Sequence, residues 1–336
     1  MIRSSRVVNI HDQSAVAEAR RTAIECAGTL QMSENAAATA GLVTTELATN
    51  LVKHTPGGSL IFGSDEETPQ TLTITSIDKG SGIANVQAAM SDGFSTAGSP
   101  GTGLGAITRA VSSFDIYTMP DKGTAIVCRI GDRPRAPVTG SPSRITLAGL
   151  CVAKPGEDES GDAWASVSGR DAVTIGVVDG LGHGHAASIA SAYGTRVVRE
   201  QGGDQQLERI IETMHGALRP TRGAAVGLAR IHPEAGRVDF VGVGNIAGTI
   251  ATDDAARKTV SHNGIVGHEM RKVQSFSYPW TADSLLVLNS DGIGSAWSFK
   301  HYPGLVQHDP AVIAAVIFRD FCRGSDDATV VVAKAS

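Results

Sequence analysis

The sequence predicts two α+β sandwich domains joined by a short linker. The chain has 336 residues, which is more than one hydrophobic core usually organises. Residues 132–144 contain three prolines and almost no large apolar side chain, which is the composition of a linker. On both sides of this stretch, helical and strand-like patterns mix without the regular alternation of a doubly wound parallel sheet. We therefore expect a first domain at residues 1–131 and a second domain at residues 145–336.

Hydrophobic periodicity predicts the main elements of both domains. In the first domain, the expected helices are Gln13–Leu30, Ser33–His54 and Gly105–Ser113, and the expected strands are Ser59–Phe62, Thr71–Ile77 and Ala125–Ile130. In the second domain, the expected strands are Val173–Val178, Ala224–Ile231, Leu285–Leu288 and Thr329–Val332, and the expected helices are Ala186–Glu200, Gln205–Leu218 and Pro310–Cys322.

The composition excludes several classes of function. Hydrophobic residues make up 41% of the chain and charged residues 19%, so packed cores are expected rather than disorder. The net charge is −5 and neither half has a basic surplus, which argues against nucleic acid as a partner. The four cysteines form no CxxC pair and are typical of reduced thiols in a cytoplasmic protein. The amino terminus lacks an apolar segment and no stretch approaches 18 apolar residues, so neither secretion nor a membrane location is predicted.

The second predicted helix carries polar residues along the border of its apolar stripe. Glu46, Asn50 and His54 recur at intervals of four, which places them on one edge of the helix. A carboxylate there could accept a proton, and an amide oxygen could bind Mg²⁺. A solvated helix edge would explain the same spacing.

Two glycine-rich segments follow. Asp78 ends a predicted strand and is followed by Gly80 and Gly82, so an aspartate acceptor stands beside backbone that a flat ligand can approach. Residues 98–105, GSPGTGLG, lead into a predicted helix and could offer amide N–H groups to phosphates. Each segment alone is also a common turn.

The order of these motifs resembles the GHKL ATPase fold. The matching boxes are Glu46-x-x-x-Asn50, Asp78-x-Gly80-x-Gly82, Gly101-x-Gly103-x-Gly105 and Gly123-Thr124-Ala125. Within that superfamily, Asp92–Thr96 and Phe114–Ile116 are similar to the RsbT-type switch kinases of the stressosome, and the resemblance covers residues 2–131. A histidine kinase is disfavoured because no dimerisation helix with a phospho-acceptor histidine precedes the domain.

The GHKL resemblance implies ATP with Mg²⁺ as the cofactor of the first domain. It implies that Asp78 accepts the adenine amino group, that Asn50 binds Mg²⁺, and that Glu46 is the catalytic base toward a serine or threonine hydroxyl. The full set of implied cofactor-binding residues is Asn50, Asp78, Gly80, Gly82, Gly101, Thr102, Gly103, Leu104, Gly105 and Thr124.

In the second domain, aspartates stand at the ends of apolar runs. Asp179 and Asp291 each follow a predicted strand and precede a glycine, Asp326 and Asp327 precede another strand, and Asp162 adds a further carboxylate. If these ends converge, each close pair would repel by about 4 kcal/mol at 4 Å and an effective dielectric near 20. Oxygen-only ligands favour Mg²⁺ or Mn²⁺, which would offset the repulsion. For any single Asp-Gly pair, a turn at a strand end is the alternative.

The order Gly-Asp, Asp-Gly-x-Gly-His-Gly, Ser-Asp-Gly, Asp-Asp-x-Thr resembles the PPM phosphatases, specifically the SpoIIE and RsbX branch, over residues 145–334. The resemblance implies two Mn²⁺ or Mg²⁺ ions. The implied metal ligands are Asp179 as the catalytic bridge, the Gly180 carbonyl, Asp291, Asp326 and, less directly, Asp162.

The same resemblance leaves supporting roles for the neighbouring residues. Asp327 is expected to support its turn. His183 is expected to be structural, with proton donation to the leaving group as the alternative. The segments Gly242–Asn245 and Gly264–Gly267 are expected to shape the sheet edge.

Together the two resemblances imply a bifunctional bacterial switch enzyme. It would phosphorylate and dephosphorylate STAS-domain proteins of stressosome or anti-anti-sigma type on serine or threonine. In the alternative, the first domain is a nucleotide-gated partner-binding module without kinase turnover; a degenerate phosphatase half is disfavoured by the full aspartate set. The sequence leaves open whether the chain forms homo-oligomers and whether Mn²⁺ or Mg²⁺ is used.

Overall fold

A computed structural model describes residues 5–64, 70–90, 103–131, 145–252, 255–271 and 273–335. Its contacts divide the chain into two compact units, Met1–Pro137 and Val138–Ser336. The division falls within residues 132–144, the expected linker, and that range lies outside the described residues. Both units combine helices with antiparallel sheets, which confirms the predicted α+β class.

The first unit is one antiparallel sheet with two long helices on one face. Its elements are β1 (Arg6–Ile10), α1 (Gln13–Thr29), α2 (Glu34–His54), β2 (Gly58–Ser64), β3 (Thr71–Asp78), α3 (Val86–Met90), α4 (Leu104–Ala110), β4 (Ser113–Met119) and β5 (Gly123–Gly131). The strand order is β1-β2-β3-β5-β4. The side chains of Asp12 and Ser33 cap the N-termini of α1 and α2 by accepting backbone N–H groups of the first turn. These capping residues determine where the two helices begin. Apolar side chains of α1 and α2 share one core with Leu60, Phe62 and Ile74 of the sheet.

The predicted helices and strands of this unit are confirmed with one correction. The helix expected to run to Ser113 ends at Ala110, and Ser113 instead begins β4, which pairs with β5. The strands β1 and β4 and the short helix α3 were not predicted. The two strands form the edges of the sheet. The first, β1, has only five residues, three of them exposed, and six of the seven residues of β4 are only partly buried, so neither has a long apolar pattern that identifies a strand.

The second unit packs two five-stranded sheets face to face and covers each with helices. Its elements are β6 (Ile145–Val152), β7 (Asp162–Ser168), β8 (Val173–Gly180), α5 (His185–Gln201), α6 (Leu207–Leu218), β9 (Ala224–His232), β10 (Arg237–Val243), β11 (Ala247–Ala251), β12 (Ala256–Lys258), β13 (Phe276–Pro279), β14 (Leu285–Asn289), α7 (Pro310–Phe321) and β15 (Ala328–Ala335). The sheet orders are β13-β10-β9-β8-β7 and β12-β11-β14-β15-β6. One core cluster joins Ile175, Phe240, Leu288 and Val331 from the two sheets. The helices α5 and α6 cover the first sheet and α7 packs on β6 and β15, as expected for an α-β-β-α sandwich.

Two glycines let α5 lie unusually close to β8. A side chain at Gly176 of β8 would approach Val198 of α5 to 2.7 Å, and one at Gly194 of α5 would approach Val178 of β8 to 2.9 Å. Such distances leave no room for a methyl group. This contact fixes the start of α5 beside the end of β8, where Asp179 lies.

No helix within the described ranges has the length and apolar character needed to cross a membrane.

Candidate active sites

The aspartate site is built on two neighbouring strands of the first sheet in the second unit. Asp162 begins β7 and stands directly opposite Asp179 near the end of β8 in the antiparallel register. The Gly180 N–H donates to the Gly161 carbonyl at 3.0 Å, which closes this end of the strand pair. Directly opposed residues lie on the same sheet face, and like charges in that arrangement repel. The register therefore brings two carboxylates together.

A buried serine connects this pair to the second sheet. The Ser290 hydroxyl donates to Asp162 Oδ2 at 2.6 Å, and the Thr329 N–H donates to Ser290 Oγ at 2.9 Å. Ser290 is fully buried and follows β14, while Thr329 belongs to β15. The hydrogen bonds bring the C-terminal end of β14 and the start of β15, with the aspartates beside them, to the start of β7.

The remaining acidic residues each have a defined hydrogen-bond partner. Asp291 Oδ2 accepts the Asn245 side-chain amide at 2.7 Å. Asp327 accepts the Lys154 N–H at 2.8 Å and the Gly161 N–H at 3.0 Å. The Asp327 carboxylate is thus engaged in holding the loop that leads into β7, which supports its interpretation as a turn-supporting residue.

Burial and mutual repulsion disfavour the ionised forms of the central carboxylates. Burial raises the pKa of Asp179 to about 8, and the charges of Asp162, Asp291 and Asp326 add to the increase. Burial also raises the pKa of Asp162 to about 7, against the opposing effect of the Ser290 hydrogen bond. The pKa of Asp327 is raised by burial as well. A cation bound here would offset this repulsion.

The donor set agrees chemically with hard divalent ions, although the side chains are not gathered around a common point. In the part of the chain that the structure describes, no three His, Cys, Asp or Glu side chains are arranged to hold a metal ion. Asp162, Asp291 and Asp327 instead accept the hydrogen bonds described above. Because the available donors are oxygens alone, Mg²⁺ and Mn²⁺ fit them better than softer metals. The individual ligand assignments stay predictions.

The Asp-Gly pairs are sites of close backbone approach rather than simple turns. A side chain at Gly180 would lie 2.2 Å from the Ala187 carbonyl oxygen of α5. One at Gly292 would lie 1.9 Å from the Asp327 carbonyl oxygen. Glycine is therefore required at both positions by the neighbouring backbone, and this packing holds Asp179 beside α5 and Asp291 beside Asp327.

Two histidines after Asp179 pair with acidic residues of the loop before β7. His183 Nδ1 lies 2.5 Å from Glu157 Oε1, and His185 Nδ1 lies 3.0 Å from Glu159 Oε2. Both pairs connect the loop after β8 to the loop that Asp327 supports. This geometry favours a structural role for His183.

The predicted nucleotide site of the first unit centres on Asp78 at the end of β3. Asp78 is buried, and its Oδ1 accepts the Gly80 N–H at 2.7 Å. A side chain at Gly123 would lie 1.9 Å from the Asp78 carbonyl oxygen, and one at Gly82 would lie 2.3 Å from the Met119 carbonyl oxygen. Gly82 and Gly123 also adopt φ values of +76° and +80°, which favour glycine. The glycines around Asp78 thus allow close approach of neighbouring backbone segments.

Glu46 and Asn50 lie half-buried on α2, beside the fully buried Val43, Leu47 and Leu51, so the predicted polar border of the helix is confirmed. This helix also packs near the Asp78 segment, since a side chain at Gly80 would lie 3.2 Å from Thr55 Cβ just beyond the end of α2.

Thr124 and the start of α4 complete the described part of the predicted nucleotide site. Thr124 is buried, with its hydroxyl oxygen 3.0 Å from that of Thr118, which accepts the Ile83 N–H at 2.9 Å. Gly103 caps α4, and Leu104 and Gly105 form its first turn. Gly101, Thr102 and Asp92–Thr96 lie outside the described residues.

Three supporting residues were missed or misjudged at the sequence level. Asn245 was expected only to shape the sheet edge, but it hydrogen bonds to Asp291. Ser290 links Asp162 to β15, and Thr118 links Thr124 to the segment after Gly82. Ser290 precedes Asp291 in the chain, and this adjacency was the available signal for its role.

Comparison with known families identifies both domains. Residues 169–336 match the family model of Stage II sporulation protein E (SpoIIE), and residues 11–130 match the histidine kinase-like ATPase domain. The protein is thus a fusion of a GHKL-like ATPase domain with a PPM phosphatase domain. Because the first match spans half of the chain, the chain belongs to the SpoIIE family. The predicted family resemblances are confirmed.

Solved structures show the same fold in the phosphatase part. One, described as "The bacterial stressosome: a modular system that has been adapted to control secondary messenger signaling", is 24% identical with a TM-score of 0.54, covering 57% of this chain and 100% of that chain. RsbX in complex with magnesium is 19% identical with a TM-score of 0.51, covering 57% of this chain and 96% of that chain. No curated protein matched the sequence.

Proposed function

We propose that this protein is a bifunctional switch enzyme that phosphorylates and dephosphorylates STAS-domain proteins on serine or threonine. The observation that carries the proposal is the aspartate cluster, in which the buried Asp162 and the half-buried Asp179 stand opposite each other and Asp291 and Asp326 add to the local negative charge. One similar structure is described with reference to the bacterial stressosome, and another structure is RsbX with magnesium. These likenesses support the class of partner and a cytoplasmic location.

In the phosphatase reaction, Asp179, the Gly180 carbonyl, Asp291, Asp326 and Asp162 would hold two Mn²⁺ or Mg²⁺ ions. Bound divalent ions supply Lewis-acid activation of water and of the phosphoryl oxygens. Ser290 keeps Asp162 oriented through its 2.6 Å hydrogen bond, and Asn245 does the same for Asp291. These contacts hold the two carboxylates at their strand ends, and metal binding would draw the side chains toward a common point.

In the kinase reaction, Asp78 would accept the adenine amino group and Asn50 would contribute an oxygen to Mg²⁺. Glu46 would accept the proton of the target hydroxyl, a role that commonly contributes about 10²–10⁴-fold to the rate. The half-buried position of Glu46 and Asn50 on one edge of α2 supports this assignment.

Since opposed activities on one residue would waste ATP, we propose that the two domains are regulated or act on different residues of the partner.

The same pocket also suits a nucleotide-gated partner-binding module without kinase turnover. Its support is the family match, which concerns the ATPase fold and not the transfer of phosphate to protein. ATP consumption in the presence of a purified STAS partner separates the two functions. A kinase transfers the phosphate to the partner, whereas a gated binding module leaves the partner unmodified.

The deciding experiment uses the full chain and a STAS partner recovered by co-purification from the native cell. With Mn²⁺ or Mg²⁺, we expect phosphoserine or phosphothreonine to disappear from the phosphorylated partner, and a chelator should stop the loss. With ATP, we expect new phosphosites by mass spectrometry. Dephosphorylation that continues unchanged in chelator would contradict the metal-dependent mechanism.

A further inference from the structure

An arginine lies close to the backbone segment that follows Asp179. Arg222 belongs to the turn between α6 and β9, and β9 begins at Ala224, directly opposite Gly180 in the register. The Leu181 N–H donates to the Gly223 carbonyl at 3.0 Å. The turn that carries Arg222 is thus hydrogen bonded to the segment that carries Asp179.

The guanidinium group of Arg222 lies over the loop that follows Asp179. Its Nη1 is 2.9 Å from the position that a Cβ atom on Gly182 would take, and among the described residues beyond Leu181 and His183 no other atom comes within 4 Å of that position. Gly182 has a φ of +89°, which favours glycine. The absence of a side chain on Gly182 leaves the space that the Arg222 side chain occupies.

The backbone around Arg222 is held on both sides. The Thr221 hydroxyl accepts the Gly223 N–H at 3.0 Å and donates to the Leu218 carbonyl at 2.7 Å. Gly223 has a φ of +78°, and a side chain there would meet His268 at 2.6 Å. The turn therefore positions Arg222 on a constrained backbone rather than on a loosely held loop.

Arg222 is exposed, and it makes no hydrogen bond or ion pair with another described residue. Two other arginines of this domain differ in this respect, since Arg319 pairs with Asp320 and Arg230 hydrogen bonds to Thr174. Arg222 is thus an unpaired positive charge over Gly182, three residues after Asp179, and it remains available to an anion. A guanidinium group presents a planar set of donors that matches the oxygens of a phosphate.

We propose that Arg222 binds the phosphoryl group of the phosphoprotein substrate; this inference rests on the proposed phosphatase function. The aspartate cluster repels a phosphate dianion, so a cationic donor at its edge stabilises the bound phosphomonoester. Arg222 then orients the phosphoryl group over the carboxylate site, while the aspartates of the cluster hold the metal ions.

The test compares Arg222→Ala and Arg222→Lys with Arg219→Ala as the matched control. Arg219 is an exposed arginine three residues earlier that ends α6. With Mn²⁺ and a phosphoserine peptide, Arg222→Ala should raise KM by about 10- to 100-fold, as expected for a lost hydrogen bond to a charged group, while kcat changes little. Arg222→Lys should recover part of the affinity, and Arg219→Ala should match the wild type. Thermal unfolding of all three should stay close to that of the wild type.

A second measurement is independent of turnover: calorimetry of inorganic phosphate binding to the Mn²⁺-loaded wild type and to each variant. The dissociation constant should rise by a similar factor in Arg222→Ala only. The wild type could fail to hydrolyse the phosphoserine peptide while Arg222→Ala still binds phosphate more weakly than the wild type does. In that case the phosphatase proposal fails and the phosphate-binding role stands. Wild-type values of KM and phosphate affinity in Arg222→Ala, or no phosphate binding by the wild type, would overturn the inference.

Discussion

Asp327 and Asp179 have different surroundings in this protein, and the difference sets their expected roles. Asp327 accepts two backbone N–H groups from the loop before β7, whereas Asp179 is surrounded by other carboxylates. We expect Asp179→Asn to abolish metal-dependent dephosphorylation and Asp327→Asn to retain a substantial fraction. Measurement of kcat/KM with Mn²⁺ for both variants checks this. Equal losses in the two variants would show that Asp327, rather than Asp326, belongs to the metal site.

The same substitution should have the opposite effect on stability when metal is absent. The pKa of Asp179 is about 8, so above that pH its charge adds to the repulsion within the cluster. In chelator above pH 8, Asp179→Asn should therefore raise the free energy of unfolding by about 1–3 kcal/mol. Asp327→Asn should instead lower the free energy of unfolding, because one backbone N–H loses its acceptor. Urea unfolding in chelator distinguishes the two, and a less stable Asp179→Asn would contradict the repulsion argument.

In the first domain, Asp78 is the residue on which nucleotide affinity should depend most. Asp78→Asn replaces one acceptor oxygen with a donor and should abolish ATP binding, while the remaining oxygen can still accept the Gly80 N–H. Asp121→Asn is the matched control, since Asp121 lies exposed in a turn with a φ of +57°, which asparagine tolerates. Calorimetry that finds wild-type ATP affinity in Asp78→Asn would remove the pocket assignment.

At the scale of the elements, close backbone approaches position the aspartate cluster. An added methyl group at Gly180 would collide with the Ala187 carbonyl of α5, and one at Gly292 with the Asp327 carbonyl. Gly180→Ala and Gly292→Ala should each lower the free energy of unfolding by about 1–3 kcal/mol or more, and both should lower phosphatase activity. Gly216→Ala is the control, because Gly216 lies within α6 with no atom near its added methyl group.

Gly216→Ala should stabilise the protein by about 0.5–1 kcal/mol, because alanine has the higher helix propensity. The urea midpoints of the three variants test these predictions: those of Gly180→Ala and Gly292→Ala should lie below the wild-type midpoint, and that of Gly216→Ala above it. Gly180→Ala with wild-type stability and activity would show that α5 can shift away from β8 without disturbing Asp179.

At the scale of the whole molecule, two domains with separate cores carry the two proposed activities on one chain. In a mixture of full chain, ATP, Mg²⁺ and STAS partner, Asp179→Asn should let phosphorylated partner accumulate. Glu46→Ala should leave the partner unphosphorylated while still binding ATP. Phosphosite occupancy by mass spectrometry reports both. A partner that stays unphosphorylated with Asp179→Asn would favour the nucleotide-gated binding module.

Local properties of the sequence determined much of this protein. The α2 helix follows from the Ser33 cap and the buried spacing of Val43, Leu47 and Leu51, because helical periodicity and capping involve residues close in the chain. The central strands β8 and β14 follow from their apolar runs. The order of the short motifs indicated both families, since each motif reflects backbone or ligand geometry at one place.

The tertiary structure alone decided how the aspartates are grouped and supported. The hydrogen bond from Ser290 to Asp162 joins residues 128 positions apart, and that from Asn245 to Asp291 joins residues 46 positions apart. Which of Asp326 and Asp327 holds the loop before β7 likewise depends on how the two sheets pack. Such contacts arise from the register and packing of strands distant in the chain, so no local pattern of residues encodes them.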